Sequence, residues 1–268
     1  MASEQSIIAL DHWLQTPAGV YARAWEQQCL DALTADIFGY NAVQIGVPEI
    51  NALAASRMPH KFLADTRLAP PQQPAGDGDS VIALPPRPRL IVDPLELPFA
   101  SQSLDLVVLP HVLEFAEEPH QVLREVERVL IPEGQVIICG FNPASLWGMR
   151  QVSGRLTGAR FLPQAGEFIS MPRMKDWLKL LNMGVSQSHL GCYAPACKSD
   201  KWLRRYAFMD RAGARWWPYF GAVYIVQAVK RVKGMRLIGP AWTKKPANAA
   251  AGVPVTNKTQ RIREHQDG

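Results

Sequence analysis

Three polar residues follow apolar runs at points where they could do chemistry. Asp65 closes Lys61-Phe62-Leu63-Ala64, Asp93 closes Leu90-Ile91-Val92, and His111 follows Leu104–Pro110. Runs of this kind read as strands, and the carboxyl ends of strands are where open parallel sheets bind ligands. An ionised carboxylate only accepts hydrogen bonds, so Asp65 and Asp93 suit donor groups of a ligand. His111 can act as a base or orient a substrate, and Glu114, one helical turn on, can partner it. Each residue also has a plainer reading. Asp65 can cap its strand, Asp93 can form a turn with Pro94, His111 can be a hydrogen-bonded wall residue, and Glu114 can be an exposed helix carboxylate.

The elements that must position these residues are clearest between Pro88 and Pro143. Leu90–Val92 and Leu104–Leu109 are short apolar runs, as expected of strands buried on both faces. Val122, Leu123, Val126, Val129 and Leu130 recur at helical spacing over Pro119–Leu130, with charges on the other side, predicting an amphipathic helix. Pro119 suits its first turn, Glu117 and Glu118 favour its positive end, and Pro132 and Gly134 follow its end. Gln135–Gly140 is then a further strand. A right-handed crossover makes it the parallel neighbour of Leu104–Leu109, with both carboxyl ends on one rim.

The order LPF, SLDLVV, HVLEF, an acidic-Pro helix start, RVLIPEG and a closing FNP resembles the second half of class I S-adenosylmethionine-dependent methyltransferases of the small-molecule type, over Arg89–Pro143. The resemblance implies an α/β fold: a doubly wound, mostly parallel seven-stranded sheet with an antiparallel last strand. It implies S-adenosylmethionine as cofactor and an unidentified methyl acceptor as substrate. By residue, it places Asp93 on the adenine amino group with Pro94 and Leu95 bordering the ring. It places Asp65 on the ribose hydroxyls, and Pro110 and His111 at the methionine and substrate side, with His111 as the candidate base.

Earlier in the chain, Ile7–Leu14 and Val20–Leu33 read as two helices leading into the sheet, and Asn41–Gly46 as the first strand, with Pro48-Glu49 opening a helix through Ser56. The family ends this strand with an acidic residue and alternating glycines, which let the backbone approach the methionine part of the cofactor. Here Gln44 stands at the acidic position, Gly46 matches the first glycine, and Pro48 and Ile50 replace the other two. The same missing glycines argue against a dinucleotide fold, whose pyrophosphate needs a Gly-x-Gly-x-x-Gly turn.

Length and composition suit a single large domain over 1–237: N-terminal helices to 38, a cofactor-binding core over 39–143, and a substrate-side cap with the last strands over 144–237. Thr66–Pro88, rich in Pro, Gly and Asp, predicts a long surface loop. Ser145–Arg160 is expected over the substrate mouth, Pro172–Asn182 as a helix, and Val185–Tyr193 and Gly221–Val232 as strands. His189, Cys192 and Cys197 lack a paired C-x-x-C or a fourth ligand, so no metal site is expected. Four scattered cysteines argue for a reducing compartment. With no leader-like N-terminus and no apolar run long enough to span a bilayer, a cytoplasmic location is expected.

Charge is distributed unevenly. Residues 1–197 carry 14 Lys/Arg against 20 Asp/Glu, while 198–268 carry 15 against 4, a local net charge of +11. From about Ile238 the composition predicts a disordered basic tail. Lys201–Phe220 mixes basic and aromatic residues, which could engage nucleic acid or a membrane surface, or could pack their rings on the sheet edge with the arginines left in water. A second function class therefore stands beside methyl transfer: a non-catalytic protein of the same fold that binds an anionic partner through its basic C-terminal third.

Overall fold

The computed structural model describes residues 10–65, 89–157, 161–163, 166–197, 199–206 and 208–231, all within one compact unit, Met1–Val232. The expected loop over 66–88 and the tail from 238 lie outside these residues. Seven strands form one sheet: β1 (Asn41–Ile45), β2 (His60–Asp65), β3 (Arg89–Ile91), β4 (Leu104–Pro110), β5 (Leu130–Phe141), β6 (Met183–Gly191) and β7 (Val223–Lys230). Their order is β3-β2-β1-β4-β5-β7-β6. β1 to β5 are mutually parallel, while β7 runs antiparallel to both β5 and β6. This is the doubly wound, mostly parallel sheet with an antiparallel last strand that the sequence predicts.

Alternation along the central strands builds two cores. Ala42, Leu106, Val108, Ile137 and Cys139 face one side, and Val43, Ile45, Val107, Leu109, Val136 and Ile138 the other. The first side is covered by α1 (Pro17–Ala35), whose start is set by Pro17 and by Thr16, whose Oγ1 accepts the Gly19 N–H at 3.2 Å. Its buried stripe runs Ala18, Ala22, Glu26, Leu30, Leu33, so one carboxylate sits in an otherwise apolar row. After β4 come the single turn α2 (Val112–Phe115) and then α3 (Pro119–Val129), whose Val122, Leu123, Val126 and Val129 fill the second core. There they meet Met174 and Leu178 of α5 (Met171–Leu180). Between β5 and α5 lies α4 (Leu146–Thr157). Two short helices, α6 (Asp200–Arg205) and α7 (Phe208–Trp216), precede β7.

Two expectations are corrected. No helix follows β1: residues 47–58 run through turns. Side-chain amides here take over backbone partners that a helix would supply for itself. Gln44 Nε2 donates to the carbonyls of Gly46, Val47 and Ile50 at 3.2, 3.0 and 2.7 Å, and its Oε1 accepts Ala52 N–H at 3.0 Å. Gln27 of α1 donates to Asn51 O and accepts Asn51 N–H. α4 buries Trp147 against Trp13, Tyr21 and Phe161 on the α1 side. The second correction is that the aromatic residues of 201–220 are largely exposed and do not pack on the sheet edge.

Candidate active site

A cleft of about 480 Å³ opens at the carboxyl ends of β1 to β4. Gly46, Asp65, Asp93, Leu95, Pro110 and His111, which come from four separate strand ends, all line it. Its walls are completed by Leu10, Val47, Ile91, Val92, Phe115 and Val122. The volume lies within the roughly 300–1,000 Å³ range of small-molecule clefts, and the lining has their character of apolar walls with a few polar groups.

The β1 end departs from the glycine pattern without filling the cleft. Ile50 is fully buried in the α1-side core beside Leu30 and Leu53, and neither Pro48 nor Ile50 lines the cleft. Gly46 is left-handed at φ 75°, and a Cβ there would meet Val112 Cγ2 at 2.9 Å, so this glycine is required by both conformation and space. Val47 follows at φ 41°, a conformation β-branched residues seldom adopt and one that costs about 1–3 kcal/mol. The loop keeps it because Gln44 fixes the carbonyls on both sides.

At the β3 end, Asp93 folds its own turn. Its Oδ1 accepts Leu95 N–H at 2.9 Å, and its backbone carbonyl accepts Glu96 N–H at 3.1 Å. The turn leaves this carboxylate exposed at the cleft wall, so the turn and ligand readings of Asp93 are compatible. Asp65, at the end of β2, is 4% exposed, and its carbonyl accepts Val92 N–H. Buried carboxylates need hydrogen-bond donors.

At the β4 end, His111 is held between two carboxylates. Nε2 lies 2.6 Å from Glu26 Oε1 and Nδ1 lies 2.8 Å from Glu114 Oε2, with the ring stacked on Phe141 at 4.3 Å. All three residues are buried, so the reading of Glu114 as an exposed helix carboxylate is overturned. Glu114 Oε1 also accepts Phe141 N–H at 2.5 Å, which joins β4 to the end of β5. Burial alone would lower the basicity of His111. The charge of Glu26 and hydrogen bonds to both carboxylates outweigh it and push the imidazole up to about 10. Burial likewise raises the Glu114 carboxyl, against the pull of His111. Raised to about 10, the imidazole holds a proton on each ring nitrogen near neutral pH and offers both to the carboxylates.

Glu26 was not among the sequence candidates. Its signal was the position itself, a carboxylate at a core position in the Ala18-Ala22-Leu30 row. Among the described residues, no three His, Cys, Asp or Glu side chains cluster to hold a metal. His189 instead pairs with Gln187 Oε1 at 3.2 Å, and Cys192 is buried.

The strand order, the antiparallel β7 and a cleft at the ends of β1 to β4 define a methyltransferase fold, and sequence and structural comparisons agree. A family model described as a methyltransferase domain matches residues 80–138. The chain belongs to the class I S-adenosylmethionine-dependent methyltransferases. It is similar to uncharacterized protein YafS of Escherichia coli (strain K12), 34% identical over 184 residues, which are 68% of each chain. Among solved structures it resembles a S-adenosylmethionine-dependent methyltransferase from Thermotoga maritima, with a TM-score of 0.55, 13% identity, and coverage of 82% of this chain and 94% of that one. It also resembles a chain of the complex between the Haloferax volcanii Trm112 methyltransferase activator and its methyltransferase, with a TM-score of 0.55, 19% identity, and coverage of 84% and 96%. No helix among the described residues is long and apolar enough to cross a membrane.

Proposed function

We propose that this chain is an active S-adenosylmethionine-dependent methyltransferase, and that the cleft at the ends of β1 to β4 is its cofactor and transfer site. The observation that carries this reading is the burial of Ile50. The side chain that replaces a family glycine enters the core, so the space between Gly46, Asp93 and Pro110 stays open. In this reading Asp93 accepts from the adenine amino group, with Leu95 and Ile91 against the ring. Asp65 accepts from the ribose hydroxyls, and Gly46 allows close approach of the backbone. Bound there, the cofactor supplies an electrophilic methyl group on a sulfonium.

The protein's own contribution is placement. In-line displacement needs donor and acceptor held in register, and no covalent intermediate with the enzyme is required. Pro110 and His111 form the wall at the transfer end. His111 acts as a positioning group, because its two N–H bonds lock the left-handed backbone at φ 53° where β4 turns into α2. No residue assigned to this cleft serves as a neutral base, so the reading favours acceptors that are already nucleophilic at neutral pH. Calorimetric titration with S-adenosylmethionine and with its demethylated product tests the proposal: saturable binding of both is expected, and binding of neither overturns it.

A further inference from the structure

We propose that Phe208–Phe220 is a docking surface for an anionic lipid membrane, with Trp216, Trp217, Tyr219 and Phe220 as the inserted apex. Residues 214–220 are all exposed, Trp216 to 72% and Tyr219 to 71%. Soluble chains seldom leave so many adjacent large rings in water unless the patch has a partner. Arg211 and Arg215 lie on α7 immediately before the apex, and Lys201 and Arg205 on α6. The two carboxylates of this region do not offset these four cations. Asp200 pairs with Arg204 at 2.7 Å, and Asp210 turns inward to accept from Tyr21 Oη and Tyr193 N at 2.5 and 2.9 Å.

The arrangement identifies the partner. Single-stranded nucleic acid needs cations interleaved with stacking rings so that phosphates and bases are met together. Here Trp202, Tyr206 and Phe208 alternate with the four cations, but no cation occurs from 216 to 220, and the four rings of the apex stand together beyond them. Rings at the acyl boundary with cations behind them at headgroup level is the order that an anionic interface requires. The apex is also fixed to the functional rim of the sheet. Asn142, which follows β5, donates Nδ2 to Tyr219 O at 2.8 Å and to Gly221 O at 3.0 Å. Docking would therefore engage the rim on which the cleft opens. The inference does not depend on methyl transfer.

The test uses the full chain without cofactor and vesicles of phosphatidylcholine, with or without phosphatidylglycerol. The expected result is co-sedimentation with the anionic vesicles, with indole emission quenched by brominated lipid. The Trp216→Ser/Trp217→Ser variant should lose at least about tenfold in partitioning, together with most of the quenching. Arg211→Gln/Arg215→Gln should lose the preference for anionic over neutral vesicles. These positions are exposed, so circular dichroism should show both variants folded. The proposal is overturned if the wild-type chain stays in the supernatant, or if the tryptophan variant partitions equally, which would assign binding to another basic segment. It is also overturned if single-stranded RNA binds through these same residues and vesicles do not.

Discussion

The two sides of the cleft are built by opposite means. At the end of β3 the turn that forms the wall is local: Asp93 accepts Leu95 N–H through Oδ1 and Glu96 N–H through its carbonyl, while the strand before it rests on β2 through Val92 N–H and Asp65 O. At the end of β1 the loop carries strained Val47 and no following helix. Beside its own turn bonds, its backbone is satisfied by side chains, Gln44 at the end of β1 and Gln27 from α1. The β4 end belongs with the second kind, since its turn depends on Glu26 from α1, 85 residues away in sequence. A local wall can change with consequences for the ligand alone, whereas a wall built from distant parts fails as structure first.

The largest break in this comparison should come at His111. Removing an imidazolium from between two buried carboxylates leaves their charges uncompensated, so His111→Ala should cost about 3–5 kcal/mol of stability, read by denaturant unfolding. The same residue gives a pH signature. Its folded value of about 10 lies above the ordinary 6.5, so the folded chain binds more protons between those values. The stability it contributes is fully present below 6.5 and is lost as pH rises through 10. Nitrogen-15 spectra at pH 8 should show both ring nitrogens protonated. A neutral ring there would restore His111 as a base and undo its assignment to positioning.

The β1 loop offers the next test. Ile50→Ala moves toward the small residue of the family pattern, yet it should open a core cavity and cost about 2–5 kcal/mol. Cofactor affinity should not improve, because Ile50 does not line the cleft. A calorimetric gain in affinity, with little loss of stability, would show that Ile50 had been narrowing the site. Gln44→Glu also moves toward the family residue. It keeps the acceptor for Ala52 N–H but removes the donor shared by three carbonyls, with an expected cost of about 2–4 kcal/mol.

These substitutions also show why sequence disclosed one wall and obscured the other. Asp93, Leu95 and the β4-α3-β5 unit were legible because their determinants are neighbours in the chain: turn residues beside an apolar run, or a 3.6-residue period. The β1 loop was read as a helix from Pro48 because local pattern carries no record of Gln27 and Gln44 taking its backbone bonds. Of the two readings of Glu114, the partner of His111 holds and the solvated one fails for a similar reason, since the Phe141 N–H that its carboxylate accepts is brought to it only by the folded sheet. The exposed aromatics of 208–220 had the same cause in reverse, since composition says that rings favour burial and not whether the fold provides a place for them.

Asp93 carries the smallest expected effect on the protein and the sharpest one on the ligand. Its carboxylate is exposed, and the one described bond it makes to Leu95 N–H lies within a solvated turn. Asp93→Ala should therefore change stability by no more than about 1 kcal/mol. In the proposed site, however, it removes a charge-assisted hydrogen bond to the adenine amino group, worth about 1.5–3 kcal/mol. Cofactor affinity should then fall by roughly ten- to a hundredfold. Asp93→Asn separates the two roles, because its side-chain oxygen can still accept Leu95 N–H while the charge is gone. Asn restoring the turn but not the affinity would place the carboxylate on the ligand. If Ala and Asn both bound cofactor like the wild type, Asp93 would be a turn residue only, and recognition at this wall would rest on Leu95 and Ile91.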